Sequence, residues 1–352
     1  MADQPVAIIR RQLCAGLLLL GAATAQAAPT PQELDAARAE GVVQIYAATD
    51  QAIVQPLLDD FQHLYPGVRV DYRDMESSEV YERFRRESDH GSSADLAWSS
   101  AMDLQIKLVN DGYAQPHRSA ETVAVPAWAV WRGTAYGTTF EPVVFAYNKH
   151  RVAATEVPHT HAELQSWLAE TGAGQAPGRV ATYDPLRSGL GFMLHSQDLR
   201  ANPAGFWSLA EGLGKAGVRL TATTSEMLDA IATGESLIGY NVLGSYALAR
   251  ARRDPAIGVV LPADYTLVVT RIIFIARQAR HPNAARLWVD YLLSARGQEL
   301  LAKRAGLLAV REDLDPQLTA VGLREQLGGA FRPIALGTGL LAYLDRAKQR
   351  DF

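Results

Sequence analysis

At 352 residues, 48% of them hydrophobic and 20% charged, the chain is too long for one ordinary core, and two lobes are expected. A formal charge of −4 offers no basic footprint and argues against nucleic acid as a partner. The single cysteine, Cys14, lies in the first residues.

Those residues read as a leader. Arg10 and Arg11 precede an apolar run from Leu13 to Ala23, and Ala25-Gln26-Ala27 is a small-x-small cleavage site. The run is too short to span a bilayer. Residues 1–27 are therefore expected to be a cleaved signal peptide, which places the mature chain in the periplasm. The twin arginines keep Tat export open beside Sec. Cys14 stands at the start of the apolar run, away from the cleavage site, which speaks against a lipid anchor. Cleavage would leave 32 basic and 37 acidic residues, net −5, and no cysteine for a disulfide, a thiol nucleophile or a thiolate metal site.

From Pro31 the pattern alternates. A helix to Glu40 stops at Gly41, and Val42 to Ala47 forms a buried strand. Thr49-Asp50 then cap a helix that runs to Leu64 and ends at Tyr65-Pro66-Gly67. Val68 to Tyr72 is a strand, Ser77-Ser78 open a helix, Asp95 to Trp98 is a strand, and a helix from Met102 stops at Asp111-Gly112. This order predicts a doubly wound α/β sheet. Ala135 to Lys149 is an extended run of β-branched and aromatic residues interrupted by Pro142. We read Phe140-Glu141-Pro142 as a crossover between lobes.

After Lys149 the alternation restarts. Thr160 and Glu163 form a capping box for a helix from His161. A glycine-rich loop (Thr171 to Gly178), a strand (Arg179 to Tyr183) and a helix from Phe192 follow. Next come a helix at Phe206 to Gly214, a strand at Val218 to Thr221, a helix capped by Thr224-Ser225, a strand at Leu237 to Tyr240 and a helix opened by Gly244-Ser245. Gly258 to Thr266 reads as a second crossover, before a buried strand at Leu267 to Ala276. The rest is mainly helical, ending with Leu340 to Gln349. The expected division is lobe 1 from 28–139 and 265–352, lobe 2 from 140–264, with hinges near 138–142 and 260–266.

Four strand-to-helix junctions share one chemistry: Thr49-Asp50-Gln51, Ser99-Ser100, Arg187-Ser188-Gly189 and Gly244-Ser245-Tyr246, with Ser77-Ser78 a weaker fifth. Unpaired N–H groups and the positive end of the helix dipole favour anions there. In open α/β sheets the ligand crevice lies at these strand ends. Any one junction is also explained as a plain N-cap; their distribution over both halves is the signal. Arg187 beside a Ser-Gly helix start suits bidentate recognition of a carboxylate or phosphonate, and it also reads as a surface arginine.

The layout resembles the periplasmic solute-binding proteins of ABC importers, in the extracellular group that includes ferric-iron binders. The residues that carry the resemblance are VVQIYAATD at 42–50, DLAWSS at 95–100, YGTTFEPVVFAYNK at 136–149, YDPLRSGLGF at 183–192 and GYNVLGSYALA at 239–249. HPNAARLWVDYLLSARGQELLA at 281–302 and the tail LLAYLDRAKQRDF at 340–352 complete the set. The resemblance implies two doubly wound α/β lobes joined by two crossover strands, the type II periplasmic-binding-protein fold, closing on ligand by hinge motion. It implies capture of a small organic anion (phosphonate, phosphorylated or carboxylate) for an inner-membrane ABC permease, by a monomer without a cofactor. Ligand contacts are expected from Thr49, Asp50, Ser77, Ser99, Ser100, Phe140, Glu141, Arg187, Ser188, Gly189, Asn241, Ser245, Tyr246 and Asp264.

Other readings stay open. Ferric binders of this group place two adjacent tyrosines where this chain has Gly244-Ser245-Tyr246; here iron would have to use Tyr246 with Tyr240. A sensor that feeds a membrane kinase would have the same soluble chain. As a secreted α/β enzyme the chain lacks a G-x-S-x-G elbow, H-E-x-x-H, a Walker loop and a complete G-x-G-x-x-G, and His159-Thr160-His161 reads as a solvated loop and not a metal pair. Glu141 suits a hinge acceptor better than a general base. Were the ligand an aminophosphonate or amino acid, Glu141, Asp50 or Asp264 would be positioned to meet its ammonium.

Overall fold

The computed structural model describes residues 29–172 and 177–344. The expected signal peptide, the centre of the glycine-rich loop and most of the expected C-terminal helix lie outside the described residues; 338–343 form a 3-10 turn.

The alternation builds a helix-and-strand series. α1 (Pro31–Glu40) is closed by a Thr30/Glu33 capping box and by Gly41 at φ 72°. It leads through β1 (Val42–Ala47), α2 (Gln51–Leu64), β2 (Arg69–Asp74), α3 (Ser77–Ser88), β3 (Leu96–Ser99) and α4 (Met102–Asn110). Short strands β4 (Ala114–Gln115), β5 (Val130–Trp131) and β6 (Ala135–Gly137) precede the long β7 (Glu141–Asn148). The second half runs through α5 (His161–Gly172), β8 (Val180–Tyr183), α6 (Gly189–Ala201), α7 (Pro203–Lys215), β9 (Arg219–Thr221), α8 (Thr224–Thr233), β10 (Ile238–Leu243) and α9 (Gly244–Ala251). Then follow β11 (Ile257–Val260), β12 (Thr266–Val269), β13 (Ile272–Ala276), α10 (Pro282–Leu293), α11 (Ala295–Leu300), α12 (Ala320–Leu327) and β14 (Phe331–Pro333).

These strands form two seven-stranded sheets, one per lobe. The first has the order β2-β1-β3-β13-β6-β5, with β4 against β13; the second has β14-β12-β7-β10-β8-β9, with β11 against β7. Within the first, β1, β2 and β3 are parallel and β13 runs antiparallel to β3 and β6. Within the second, β8, β9 and β10 are parallel and β7 is antiparallel to β10, β11 and β12. Both sheets are thus mixed, which a wholly parallel winding would not produce.

The chain passes from the first sheet to the second over Thr138 to Phe140 and returns over Thr270 and Arg271. The return therefore comes after the expected 260–266. Val268 and Val269 pair with Pro142 and Glu141, so β12 stays on the second sheet. β14, from the tail assigned to the first lobe, pairs with β12 as well. Thr266-Leu267-Val268-Val269 is buried on both faces, and a run of that kind carries no periodicity that says which sheet it joins.

The passages are bonded to each other. Thr138 N–H donates to the Arg271 carbonyl (2.9 Å), as does the Thr138 hydroxyl (2.9 Å), and Trp98 Nε1 donates to that hydroxyl (2.9 Å). Gln298 Nε2 donates to the Thr138 carbonyl (2.9 Å). The first lobe is filled by an aromatic cluster in which Phe61 meets Trp288 at 4.9 Å and Tyr291 at 5.3 Å. Burying each such ring contributes on the order of 2–3 kcal/mol.

Candidate functional site

Both sheets direct strand ends at the space between the lobes, and the helices that start there carry the polar groups. β1 ends at Thr49-Asp50 before α2, β2 at Asp74 before α3, and β3 at Ser99-Ser100 before α4. From the facing lobe, β8 leads to Ser188 before α6, β9 to Thr223 before α8, and β10 to Gly244 before α9. Together they enclose a cavity of about 200 Å³.

The lobes touch around it. Leu190 N–H donates to Ser77 Oγ (3.0 Å), Ser225 Oγ to Asp50 Oδ2 (3.3 Å) and the Tyr246 hydroxyl to Asp50 Oδ1 (3.4 Å). Gly189 fits this approach: a Cβ there would lie 2.6 Å from Leu104 Cδ1 across the interface.

Of the residues expected from sequence, Asp50, Ser77, Ser100, Ser188 and Tyr246 line the cavity. Ser188 is the N-cap of α6 and accepts from Gly191 N–H (3.2 Å). Burial pushes the Tyr246 phenol up to about 12, against the pull of the Arg271 guanidinium 5.7 Å from its ring. Thr49, Glu141 and Ser245 lie beneath the cavity in one sealed network around Arg271. Arg271 is 0% exposed; its Nε lies 2.9 Å from Glu141 Oε1, Nη2 donates to Glu141 Oε2 (3.1 Å) and Nη1 to Thr49 Oγ1 (2.6 Å). Ser245 Oγ also donates to Glu141 Oε2, and Thr139 Oγ1 donates to Oε1 (2.8 Å). Burial works against the charge on Arg271, yet the Glu141 carboxylate holds its pKa above the ordinary arginine value.

The remaining expected residues lie elsewhere. Ser99 Oγ accepts from Ala101 N–H (3.2 Å) inside the turn before α4. Phe140 stacks on Phe331 (5.5 Å) and meets Trp128 edge-on (5.7 Å). Arg187 is exposed and does not line the cavity. Asn241, at φ 65°, carries the bulge in β10 and donates from Nδ2 to Asp198 Oδ2 (2.7 Å). Asp264 accepts from His161 N–H (3.0 Å). Tyr240 gives its hydroxyl to Asp198 Oδ2 (2.5 Å) inside the second lobe, so the two tyrosines set down for iron are not brought together at the cavity.

Reading the sequence missed Asp74, Glu76, Tyr183 and the Thr223–Ser225 segment in the lining, and Arg271 below it. Asp74 Oδ2 accepts Gln51 N–H (2.8 Å) and Glu76 Oε2 accepts Ser78 N–H (2.6 Å). Two helix starts on the first lobe are thus capped by carboxylates rather than left for an anion. The second lobe supplies hydroxyls: the Tyr183 phenol, hydrogen bonded to Thr224 Oγ1, and Thr223, the N-cap of α8. Among the described residues, no lysine, arginine or histidine lines the cavity.

Two lobes joined by adjacent, mutually bonded passages, with a polar cavity between helix starts, describe a hinged binder, and the comparisons agree. The model of the bacterial extracellular solute-binding protein family matches residues 43–307. The chain belongs to this family. As a solute-binding protein of an ABC transporter, it is a binder and not an enzyme. This solute-binding protein is 39% identical to the substrate binding protein of the ABC transporter from Agrobacterium tumefaciens, over 88% of this chain and 91% of that one, with a TM-score of 0.84. Its fold is also similar to iron-bound HitA from Pseudomonas aeruginosa (17% identity, 81% and 97% covered, TM-score 0.66). AfuA from Actinobacillus pleuropneumoniae, with exogenous fructose-6-phosphate bound, is similar at 19% identity (79% and 88% covered, TM-score 0.67). No match is found among curated proteins.

Proposed function

We propose that this solute-binding protein captures a small organic anion between its lobes and delivers it to an ABC permease, as a periplasmic monomer exported by its leader. The observation that carries the reading is convergence: the starts of α4, α6, α8 and α9, drawn from both sheets, meet at one cavity of about 200 Å³. Each start adds roughly 0.3–1 kcal/mol of attraction for negative charge, and several acting together favour a compact anionic head. The lobes would move about Thr138–Glu141 and Val269–Ile272, with the Arg271 network as the floor common to open and closed states. A permease and ATPase encoded beside the gene would separate transport from delivery to a sensor kinase.

The test is a thermal-shift screen of phosphonates, phosphorylated three-carbon acids, di- and tricarboxylates and ferric complexes. A ligand at 100 times its dissociation constant adds about 2.7 kcal/mol to stability. Ferric ion is the second reading, favoured by the iron-bound relative and by the Tyr246 phenol in the lining. If only ferric ion moves the midpoint, with a visible phenolate charge-transfer band, the organic-anion reading is wrong.

A further inference from the structure

We infer that the captured anion also carries a cationic amine, so that the ligand is a small zwitterion and Asp50 is the residue that selects for the amine; this rests on the cleft reading above. The cavity lining presents two chemically different sets of groups. In one set, the carboxylates of Asp50, Asp74 and Glu76 form part of the wall, and among the described residues no basic side chain is in the lining to offset them. Arg271 does not serve, because it is sealed at 0% exposure and committed to Glu141, Thr49 and the Ala48 carbonyl. An ion with negative charge only would enter against that wall.

The three carboxylates differ in what they can offer. Glu76 has both oxygens engaged, by Ser77 Oγ and Ser78 N–H. Asp74 has one oxygen on Gln51 N–H. Among the described residues, the Asp50 carboxylate is held only by the long hydrogen bonds from Ser225 and Tyr246, and it makes no cap bond to α2. Its carboxylate is the one that exchanges partners at least cost, and an ammonium is a stronger partner for it than two neutral hydroxyls.

The other set includes a serine hydroxyl that is open to the cavity. Ser100 is 2% exposed and lines the cavity, and among the described residues its hydroxyl makes no hydrogen bond. It sits at the start of α4, whose N-cap, Ala101, brings no side-chain acceptor. Ser188 and Tyr246 face the same space from the second lobe. Donors for an anionic head and an acceptor for an amine are thus presented by one cavity.

The experiment uses the whole mature chain in calorimetric titrations with matched pairs of two to four carbons: ω-aminoalkylphosphonates and ω-amino acids, each against its des-amino partner and the diamine of equal length. The expected result is that at least one zwitterion binds, its des-amino partner at least tenfold more weakly. Asp50→Asn should shrink that gap to threefold or less without moving the ligand-free melting temperature, since Asp50 is exposed. Ser100→Ala should weaken both members of the pair alike. A des-amino partner that binds as tightly as its zwitterion overturns the inference and leaves the anion reading standing. The same holds if no pair member binds but a di- or tricarboxylate does. A diamine that binds as tightly as the zwitterion, or ferric ion as the sole ligand, overturns both.

Discussion

Two carboxylates at the lobe junction, Glu141 and Asp50, are built into opposite situations. Glu141 is fully buried and takes a guanidinium and two hydroxyls. Asp50 is exposed and is reached by two hydroxyls at 3.3 and 3.4 Å. Each joins parts of the two lobes. The first joins the passages that both lobes share, so nothing need break there when the lobes separate; the second joins surfaces that part. A buried charge pair costs desolvation and returns it only if it stays intact, whereas exposed bonds are cheap to exchange. The junction is therefore stiff at its floor and exchangeable at its mouth.

The largest test of that contrast is at the floor. Arg271→Ala strands Glu141 in the interior and should cost about 3–5 kcal/mol in urea unfolding. Arg271→Met with Glu141→Leu should recover most of it. A single-variant loss under about 1 kcal/mol would show that the floor is not structural. By contrast, Asp50→Asn should leave the urea midpoint in place.

A third carboxylate sharpens the comparison through pH. Asp103, buried at the start of α4 without a cation, is pushed by desolvation from 3.8 up to about 7. Its folded form keeps a proton that the unfolded chain gives up, so the contribution of Asp103 to stability falls as pH rises from about 4 to about 7 and is level above. Asp103→Asn should be more stable than the parent at pH 8, by on the order of 2–4 kcal/mol, and equal to it near pH 4. Equal urea midpoints at pH 8 would refute the assignment.

At the mouth the effects are smaller. Gly189→Leu puts a side chain where Leu104 already stands. It should keep the fold and weaken ligand binding at least tenfold, about 1.4 kcal/mol, with a larger radius of gyration in X-ray scattering with ligand present. Unchanged affinity would remove Gly189 from the closure surface. The smallest change is Tyr246→Phe, which deletes one hydroxyl and should cost about 0.5–1.5 kcal/mol of anion affinity. A loss of a thousandfold or more, confined to ferric ion, would turn the site over to iron.

Much of the lobe organisation was legible because strand-helix alternation and N-cap residues are local signals. Ser188 and Ser100 were found at helix starts for that reason, and the cavity uses both. Arg187, one residue earlier, turned outward: the N-cap points its side chain at the helix start while its neighbour leaves from the other side. Arg271 was invisible for the opposite reason. It stands between two apolar strands and looks like a turn residue, and its partner Glu141 is 130 positions away in sequence. Val268-Val269, expected in the first lobe, lie on the second sheet instead, since fully buried strands have no polar face to orient them.

The placement of β13 has a consequence for the order of folding. β13 lies between β3 and β6, and β14 closes one edge of the other sheet. A growing chain that ends before Ile272 has no strand to put between β3 and β6, and one that ends before Phe331 leaves an edge of the second sheet bare. Ile272–Ala276, made long after the rest of the first sheet, thus hold the keystone of the N-terminal lobe. The usual course, in which the first-made domain folds while the rest is still being made, leaves the N-terminal lobe of this topology without its central strand. The first sheet can therefore be completed only after about three-quarters of the chain has been made, whereas β7 to β11 of the second sheet are all present before Ile272.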